Sequence, residues 1–274
     1  MTQINWCVDT YILDNRPNPN DLLDSIRNSG AGLHTTKYIP LSDEQDYGTY
    51  TEKDCVILYG THGYISKCKI PFVPGAYGLV QNMNCNFYYS YLPTEWMLNS
   101  FPLFVPFGYL QNNYQRLFEL YEDGFFVRPM SGFKTFTGFV MTPENIEHEL
   151  NCTQQLSSVM PDTMVMICEI KDIIAEYRFI IGNKRVIDGS EYRWNDTLDI
   201  RRDYDPDCKK VADAVSLLDW QPDLVYTCDV AQTINGPKIV ELNSFSCAGL
   251  YACDTDLIVN SINEIAEKEF KDEL

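Results

Sequence analysis

Polar and hydrophobic positions alternate most regularly near the C-terminal end of the chain. Residues 225–231 and 238–243 are short segments rich in β-forming side chains, and Asn235-Gly236-Pro237 between them is typical of a turn. We therefore predict a β-hairpin. With the turn near Asn235, Asp229 on the first strand lies within about one residue of the position facing Glu241, on the same face of the pleat.

Opposed carboxylates in this hairpin suggest a cation site. Two carboxylates about 5 Å apart repel each other unless a cation lies between them. Asn243 shares the same face, and the three side chains offer only oxygen donors, which suit Mg²⁺ with nucleotide phosphates better than zinc. We therefore predict a magnesium site formed by Asp229, Glu241 and Asn243. An exposed hairpin with its acids in water is the open alternative.

Further apolar runs predict a mixed α/β chain. A strand over residues 55–59 leads into Gly60-Thr61-His62-Gly63, which brings His62 to a cleft at the edge of a sheet or simply makes a tight turn. A buried strand over residues 164–170 and a hairpin over 173–187 follow the same logic. Helices are predicted over residues 21–28 and 113–121, after Thr142-Pro143-Glu144, after Asp205-Pro206, and after Asp254.

A second hairpin, over residues 125–140, combines aromatic strands with basic side chains. Its arms FFVRP and TFTGFV flank a loop that contains Gly132. Arg128 lies in the first arm and Lys134 at the edge of the loop. A glycine-containing loop that carries a cation can fold over phosphates, whereas an ordinary turn with a solvated lysine has no such role.

The overall charge narrows the choice of partners. The 274 residues include 39 acidic and 21 Lys or Arg side chains, for a net charge of −18, which disfavours nucleic acid and anionic membranes. The ten cysteines form no CxxC pair, so we expect reduced thiols, and there is neither a membrane-spanning apolar run nor a signal sequence. We expect a cytoplasmic protein, and treat Lys271-Asp272-Glu273-Leu274 and the sequons at Asn151 and Asn195 as chance matches.

In chain order the sequence contains VRPxxxxK-TFTG, CEI, EYRFII-GNKRVIDGSEYR, CDV and ELN. Over about residues 110 to 265, this series resembles the ATP-grasp superfamily of carboxylate-amine ligases. In detail it is similar to a phage-associated branch with Arg in place of the first lid lysine, here Arg128. The resemblance implies an ATP-grasp fold, of α/β (α+β) class. It divides the chain into a pre-ATP-grasp α/β region (1–110), a lid subdomain (111–172) and a C-terminal subdomain with the metal site (173–274).

The resemblance also implies roles for individual residues. Arg128 and Lys134 would hold the ATP phosphates from the lid. Glu169 and Ile170 occupy the hinge position that hydrogen-bonds adenine, and Glu176 would lie near the ribose or phosphates. The remaining assignments are Arg178 and Arg193 for the transferred phosphoryl group and the substrate carboxylate, and Asp229, Glu241 and Asn243 for magnesium.

The implied activity is an ATP- and Mg²⁺-dependent ligase that activates a carboxylate as an acyl phosphate for attack by an amine, with peptides or proteins among the substrates. The acidic surface favours a cationic acceptor such as a Lys-rich or Arg-rich tail or a polyamine. One alternative is an inactive nucleotide-binding or interaction protein with the same fold. The other is a covalent nucleotidyltransferase that uses KxDG, for which Arg185-Val186-Ile187-Asp188-Gly189 lacks the nucleophilic lysine.

Overall fold

A computed structural model describes residues 2–13, 21–70, 74–195 and 197–272. Glu273 and Leu274 of the C-terminal tetrapeptide, and Asp196 of the second sequon, lie outside this range. The ten cysteines are free thiols and most are buried. Within the described ranges, no helix combines the length and the apolar composition needed to cross a bilayer.

The N-terminal region is built on a parallel sheet with strand order β2-β1-β3. Its strands are β1 (Ile4–Asp9), β2 (Gly32–Thr36) and β3 (Cys55–Tyr59), and its helices are α1 (Asp21–Asn28), α2 (His62–Ser66) and α3 (Cys85–Tyr88). The predictions of α1 and β3 are confirmed. β3 is buried at every position because its flanks are covered by other elements, as in most parallel sheets.

The middle of the chain forms an antiparallel sheet with strand order β4-β7-β5-β6. Its elements are β4 (Leu103–Pro106), α4 (Phe107–Phe118), β5 (Phe125–Pro129), β6 (Phe139–Met141), α5 (Ile146–Leu156) and β7 (Met164–Glu169). Buried apolar residues of both helices pack with Phe125, Val127 and Ile167 into one cluster. The predicted boundary between residues 110 and 111 lies within α4 and stays a prediction.

The C-terminal part forms a larger antiparallel sheet with strand order β10-β9-β8-β11-β12. Its elements are β8 (Ala175–Gly182), β9 (Arg185–Trp194), β10 (Thr197–Arg201), α6 (Pro206–Ser216), β11 (Val225–Thr233), β12 (Gly236–Ser244) and α7 (Thr255–Phe270). Helix α7 packs with α1 and the N-terminal sheet, and α6 packs with the opposite face of the large sheet. The hairpin predicted around Asn235 is confirmed as β11–β12.

Several predicted element boundaries were wrong. Helix α4 begins at Phe107 rather than residue 113 because Phe107 and Leu110 are buried and extend its inward face, with a kink at Asn113. Most of the TFTGFV arm is not strand; only Phe139–Met141 pairs with β5. Residues 142–145 form a turn before α5 rather than its first turn. Strand β9 continues beyond the predicted end of its hairpin, so Glu191, Tyr192 and Arg193 lie within it.

Candidate functional site

The β11–β12 hairpin brings the two predicted carboxylates face to face. Asp229 pairs directly with Glu241 across the hairpin and with Arg178 on β8. The register then shifts between Asp229 and Val230, which pairs with Ile239, so Val240 is an extra residue on β12. A bulge of this kind bends the strand and redirects neighbouring side chains. The predicted pairing of Asp229 with Glu241 is thus confirmed, although the bulge beside it was not foreseen.

Asp229 is fully buried and is held by Arg178 in a bidentate ion pair. Arg178 donates from Nε to Oδ1 at 2.7 Å and from Nη2 to Oδ2 at 2.6 Å, and its Nη1 donates to the Gly249 carbonyl at 3.2 Å. The rings of Tyr251 and Tyr192 lie 4.9 and 5.7 Å from the guanidinium carbon. Burial lowers the pKa of Arg178, but the Asp229 carboxylate more than compensates, so this pKa lies well above its ordinary value. The Arg178 side chain is therefore engaged along its edges and covered on its faces.

Glu241 contacts two basic side chains of the predicted lid. Its Oε2 lies 2.6 Å from Arg128 Nη2, and its Oε1 accepts from Lys134 Nζ at 2.7 Å and from Asn243 Nδ2 at 2.9 Å. Burial raises the pKa of Glu241, but Lys134 and Arg128 outweigh that effect and hold it well below its usual range. The Lys134 side chain is 41% exposed and that of Arg128 only 9%, so Lys134 is the accessible member of the pair.

The repulsion between the two acids is relieved here by protein side chains. Asp229 and Glu241 carry two negative charges, and Arg128, Lys134 and Arg178 carry three positive charges. Among the described residues, no group of three or more His, Cys, Asp or Glu side chains is placed to hold a metal ion. Two carboxylates and the Asn243 amide nevertheless fit Mg²⁺, which commonly takes one or two protein carboxylates and completes its shell with phosphate oxygens and water.

A cavity of about 600 Å³ lies between the lid sheet and the C-terminal sheet. Ile170, which ends the predicted hinge, is 40% exposed, and the neighbouring Glu169 pairs with Lys171. Arg178, Asp229 and Asn243 are not part of the cavity wall but adjoin it through Glu241 and its neighbours. The predicted site residues that line the cavity are Arg128, Lys134, Glu169, Ile170, Glu176, Arg193 and Glu241.

Glu176 occupies the wall opposite the lid. It is 5% exposed, accepts from the Tyr192 hydroxyl at 2.5 Å, and lies 3.2 Å from Arg193 Nη1. Burial raises the pKa of Glu176, and these two partners oppose the rise. The charged row on β8, which the sequence left open to solvent, therefore faces the interior.

His62 begins α2 and lies beside the lid loop rather than in the carboxylate cluster. Its ring centroid is 5.6 Å from that of Phe133, and burial, assisted by the charge of Lys134, lowers the pKa of His62. Thr61 caps α2 and donates from Oγ1 to Asp9 at 3.0 Å. Asp9 is fully buried and also accepts from the backbone of Tyr38. The N-terminal sheet edge is thus fixed next to the lid.

Sequence reasoning missed three contributors to this region: Asn99 in the cavity wall, Tyr251 over Arg178, and the Val240 bulge. Tyr251 comes from a loop, and the bulge leaves no mark in the alternation of β12. Asn99 lies in a segment rich in Pro, Asn and aromatic residues, where no periodic pattern indicates its position.

Comparison with protein families gives one match. A family model described as an ATP-grasp domain, the third family of its clade, matches residues 87–262, which is more than half of the chain. Among curated proteins, none matches the sequence.

Solved structures with the same fold include several ligases. The structure is similar to D-cycloserine synthetase DcsG, with a TM-score of 0.62 and 13% identity, covering 96% of this chain and 99% of that one. D-Alanine–D-alanine ligase from Bacillus anthracis aligns with a TM-score of 0.59 and 10% identity over 100% of both chains. The ATP-grasp ligase PsnB, complexed with precursor peptide PsnA2 and AMPPNP, aligns with a TM-score of 0.57 and 10% identity over 97% of this chain and 99% of that one.

Proposed function

Because the chain belongs to this ATP-grasp domain family, we propose that it is an ATP- and Mg²⁺-dependent ligase that joins a carboxylate to an amine. The observation that carries the proposal is the convergence of Arg128 and Lys134 on Glu241 at the wall of the cavity. Nucleotide phosphates bring several negative charges, so both cations would turn from Glu241 to the phosphates, as charge-assisted contacts favour. Glu241 and Asn243 would then be available to the metal ion.

In the proposed reaction a carboxylate oxygen attacks the γ-phosphorus of ATP, and ADP leaves. The amine nitrogen then attacks the acyl carbon, phosphate leaves, and the nitrogen loses a proton. Bound magnesium would neutralise phosphate charge, held by Asp229, Glu241 and Asn243. Arg128 and Lys134 would grip the phosphates from the lid.

The other predicted residues would divide between the nucleotide and the substrate. Glu169 and Ile170 would contact adenine, and Glu176 would contact the ribose or phosphates. Arg193 would meet the substrate carboxylate or the transferred phosphoryl group. For Arg178 we propose that its effect on the phosphoryl group passes through Asp229, which its guanidinium holds in a bidentate pair.

Substrate identity is the finer part of the proposal. The similar structures include a ligase bound to a precursor peptide and a D-alanine–D-alanine ligase, so both peptides and amino acids are proposed as carboxylate or amine substrates. A net charge of −18 favours a cationic acceptor such as a Lys-rich or Arg-rich tail or a polyamine. We propose a cytoplasmic setting for this reaction.

The test is ADP and phosphate release from ATP and Mg²⁺ in the presence of pooled amino acids, peptides and polyamines. Glu241→Gln should lower turnover by about a thousandfold or more, because a metal ligand and a phosphate-site charge are lost. Its circular-dichroism spectrum should stay unchanged, and Glu264→Gln, at the exposed Lys268 pair on α7, should keep full turnover. Full turnover in Glu241→Gln would contradict the metal assignment.

The same assay separates the alternatives. ATP binding without ADP release under any substrate pool would favour an inactive nucleotide-binding protein. AMP-enzyme formation would favour the nucleotidyltransferase, but its KxDG-like segment offers little support. There Arg185 is exposed and lies 3.8 Å from Glu264, while Asp188 accepts the backbone N–H of Asp254.

A further inference from the structure

Asn99 is a buried polar residue in the wall of the cavity that has no part in the site described above. It is 5% exposed and lines the cavity together with Leu98, Val240 and Glu241. Its carboxamide forms no hydrogen bond with another residue of the described chain. Buried amides nearly always have hydrogen-bond partners, so a cavity-lining amide without one suggests that a ligand supplies the partner.

Two backbone contacts fix the position of Asn99. Met97 bridges to Ile239 of β12, and the Leu98 N–H donates to the Ile239 carbonyl at 2.9 Å. Asn99 follows immediately, beside the Val240 bulge. The residue is therefore attached to the C-terminal sheet by its neighbours, which leaves its side chain to the cavity.

Strand register places Asn99 at the adenine end of this cavity. Leu103 of β4 pairs with Ile167 of β7 in antiparallel orientation. The residues that precede Leu103 therefore run beside those that follow Ile167, which are the predicted hinge residues Glu169 and Ile170. Asn99, Glu169 and Ile170 line the same cavity.

A carboxamide at this place is suited to one base. It offers one acceptor and one donor group side by side, and adenine presents the complementary N6 amino donor and N7 acceptor on one edge. Guanine presents two acceptors, O6 and N7, on the same edge, so one of the two hydrogen bonds is lost. An aliphatic residue at this position would treat the two bases alike.

We infer that Asn99 is a specificity-determining residue that hydrogen-bonds the adenine base of the nucleotide and selects ATP over GTP. The inference rests on the proposed function, because it takes the cavity to be the nucleotide site. It adds a contact from the segment that precedes β4, outside the lid, the hinge and the carboxylate cluster.

The test is calorimetric titration of the full chain with ATP and with GTP, each with Mg²⁺. The unchanged protein should prefer ATP. Asn99→Leu should weaken ATP binding about tenfold through the loss of hydrogen bonds to the base, while its GTP affinity changes by less than about twofold. Asn99→Asp keeps the shape but cannot donate, so it should weaken ATP binding as well. Asn86→Leu, on the exposed side of α3, is the matched control.

Thermal unfolding distinguishes recognition from a structural role. Without nucleotide, Asn99→Leu should melt at the same temperature as the unchanged protein or higher, because the removed amide has no protein partner. With ATP its melting temperature should rise less. Intact ATP binding and turnover in the unchanged protein, combined with unaltered ATP affinity in both Asn99 variants, would overturn this inference alone. No binding of either nucleotide by the unchanged protein would overturn the proposed function and the inference with it.

Discussion

Acidic side chains come together in two regions of this molecule, and basic side chains contact only the first of these pairs. Asp229 and Glu241 face each other beside the cavity and are contacted by Arg178, Arg128 and Lys134. On the far side of the C-terminal sheet, Asp223 and Glu269 are close enough to raise each other's negative potential. These two accept hydrogen bonds only from uncharged donors, namely the backbone N–H groups of Leu79 and Leu224 and the hydroxyl of Tyr77.

The difference shows what a phosphate site requires beyond acids. Asp223 and Glu269 relieve their repulsion by holding protons more tightly, since burial raises their pKa values to about 6 and about 7. Glu241 stays ionised because fixed cations surround it, and the same cations suit phosphate. Within the functional cluster there is a further contrast. Arg178 is locked on Asp229, whereas Lys134 is accessible and can exchange one anion for another.

The largest effect is expected from breaking the locked half of the cluster. Arg178→Met leaves the fully buried Asp229 without its bidentate partner, which should lower the free energy of unfolding by about 3–5 kcal/mol. Urea denaturation followed by circular dichroism at neutral pH measures this change. A loss below about 1 kcal/mol would mean that Asp229 is not held as a buried charge.

A double variant separates lost charge pairing from lost packing. Arg178→Met combined with Asp229→Leu removes both charges, so it should recover much of the lost stability. Turnover should remain absent, because Asp229 is a proposed metal ligand. No recovery would indicate that Arg178 stabilises the fold chiefly through its packing between Tyr192 and Tyr251.

An intermediate effect is expected in the exchangeable half. Lys134→Ala should weaken ATP binding about tenfold while changing the free energy of unfolding by less than about 1 kcal/mol, because the ion pair is partly exposed. Lys184→Ala is a matched control, since both lysines have positive φ, 50° and 58°, and Lys184 lies in the exposed β8–β9 turn. Unchanged ATP affinity in Lys134→Ala would remove the lid role.

Local sequence signals anticipated the part of the fold that is local. The β11–β12 hairpin follows from its turn and its alternation, and the N-cap Asp205 with Pro206 correctly opens α6. The start of α4 was missed because it depends on packing: Phe107 and Leu110 are buried against the lid sheet, a contact that no local pattern encodes. Strands β1 and β2 escaped notice because their parallel partners are distant in the chain.

The same division holds for the site. The facing of Asp229 and Glu241 was predictable because strand side chains alternate with period two and the turn sets the register. The resemblance supplied Arg128 and Lys134, but their contact with Glu241 joins residues 107 or more positions apart. Asn99 and Tyr251 come from loops whose positions are set by the packed sheets, so nothing in their neighbourhood of the sequence marks them.

The smallest effect is expected at the acid pair without cations, and it depends on pH. Folding raises the pKa of Asp223 from 3.8 to about 6, through burial from which the N–H groups of Leu224 and Leu79 subtract. The folded protein therefore binds protons more tightly than the unfolded chain at this position. This contribution to stability is fully present below about pH 4 and is lost as the pH rises through about 6. Near Asp223, Glu269 and Tyr77 offer no positive charge to reverse the sign.

Asp223→Asn removes this titration while keeping an oxygen that can accept a backbone N–H. Its free energy of unfolding should exceed that of the unchanged protein by about 1 kcal/mol at pH 8 and match it near pH 4. Asp54→Asn serves as a control of opposite sign, because hydrogen bonds from the backbone and side chain of Thr51 lower the pKa of Asp54, so its contribution is lost as the pH falls. Urea denaturation at intervals between pH 4 and pH 8 measures both. A pH dependence in Asp223→Asn identical to that of the unchanged protein would show that the second acid pair is solvated, and the contrast between the two pairs would then rest on the cations alone.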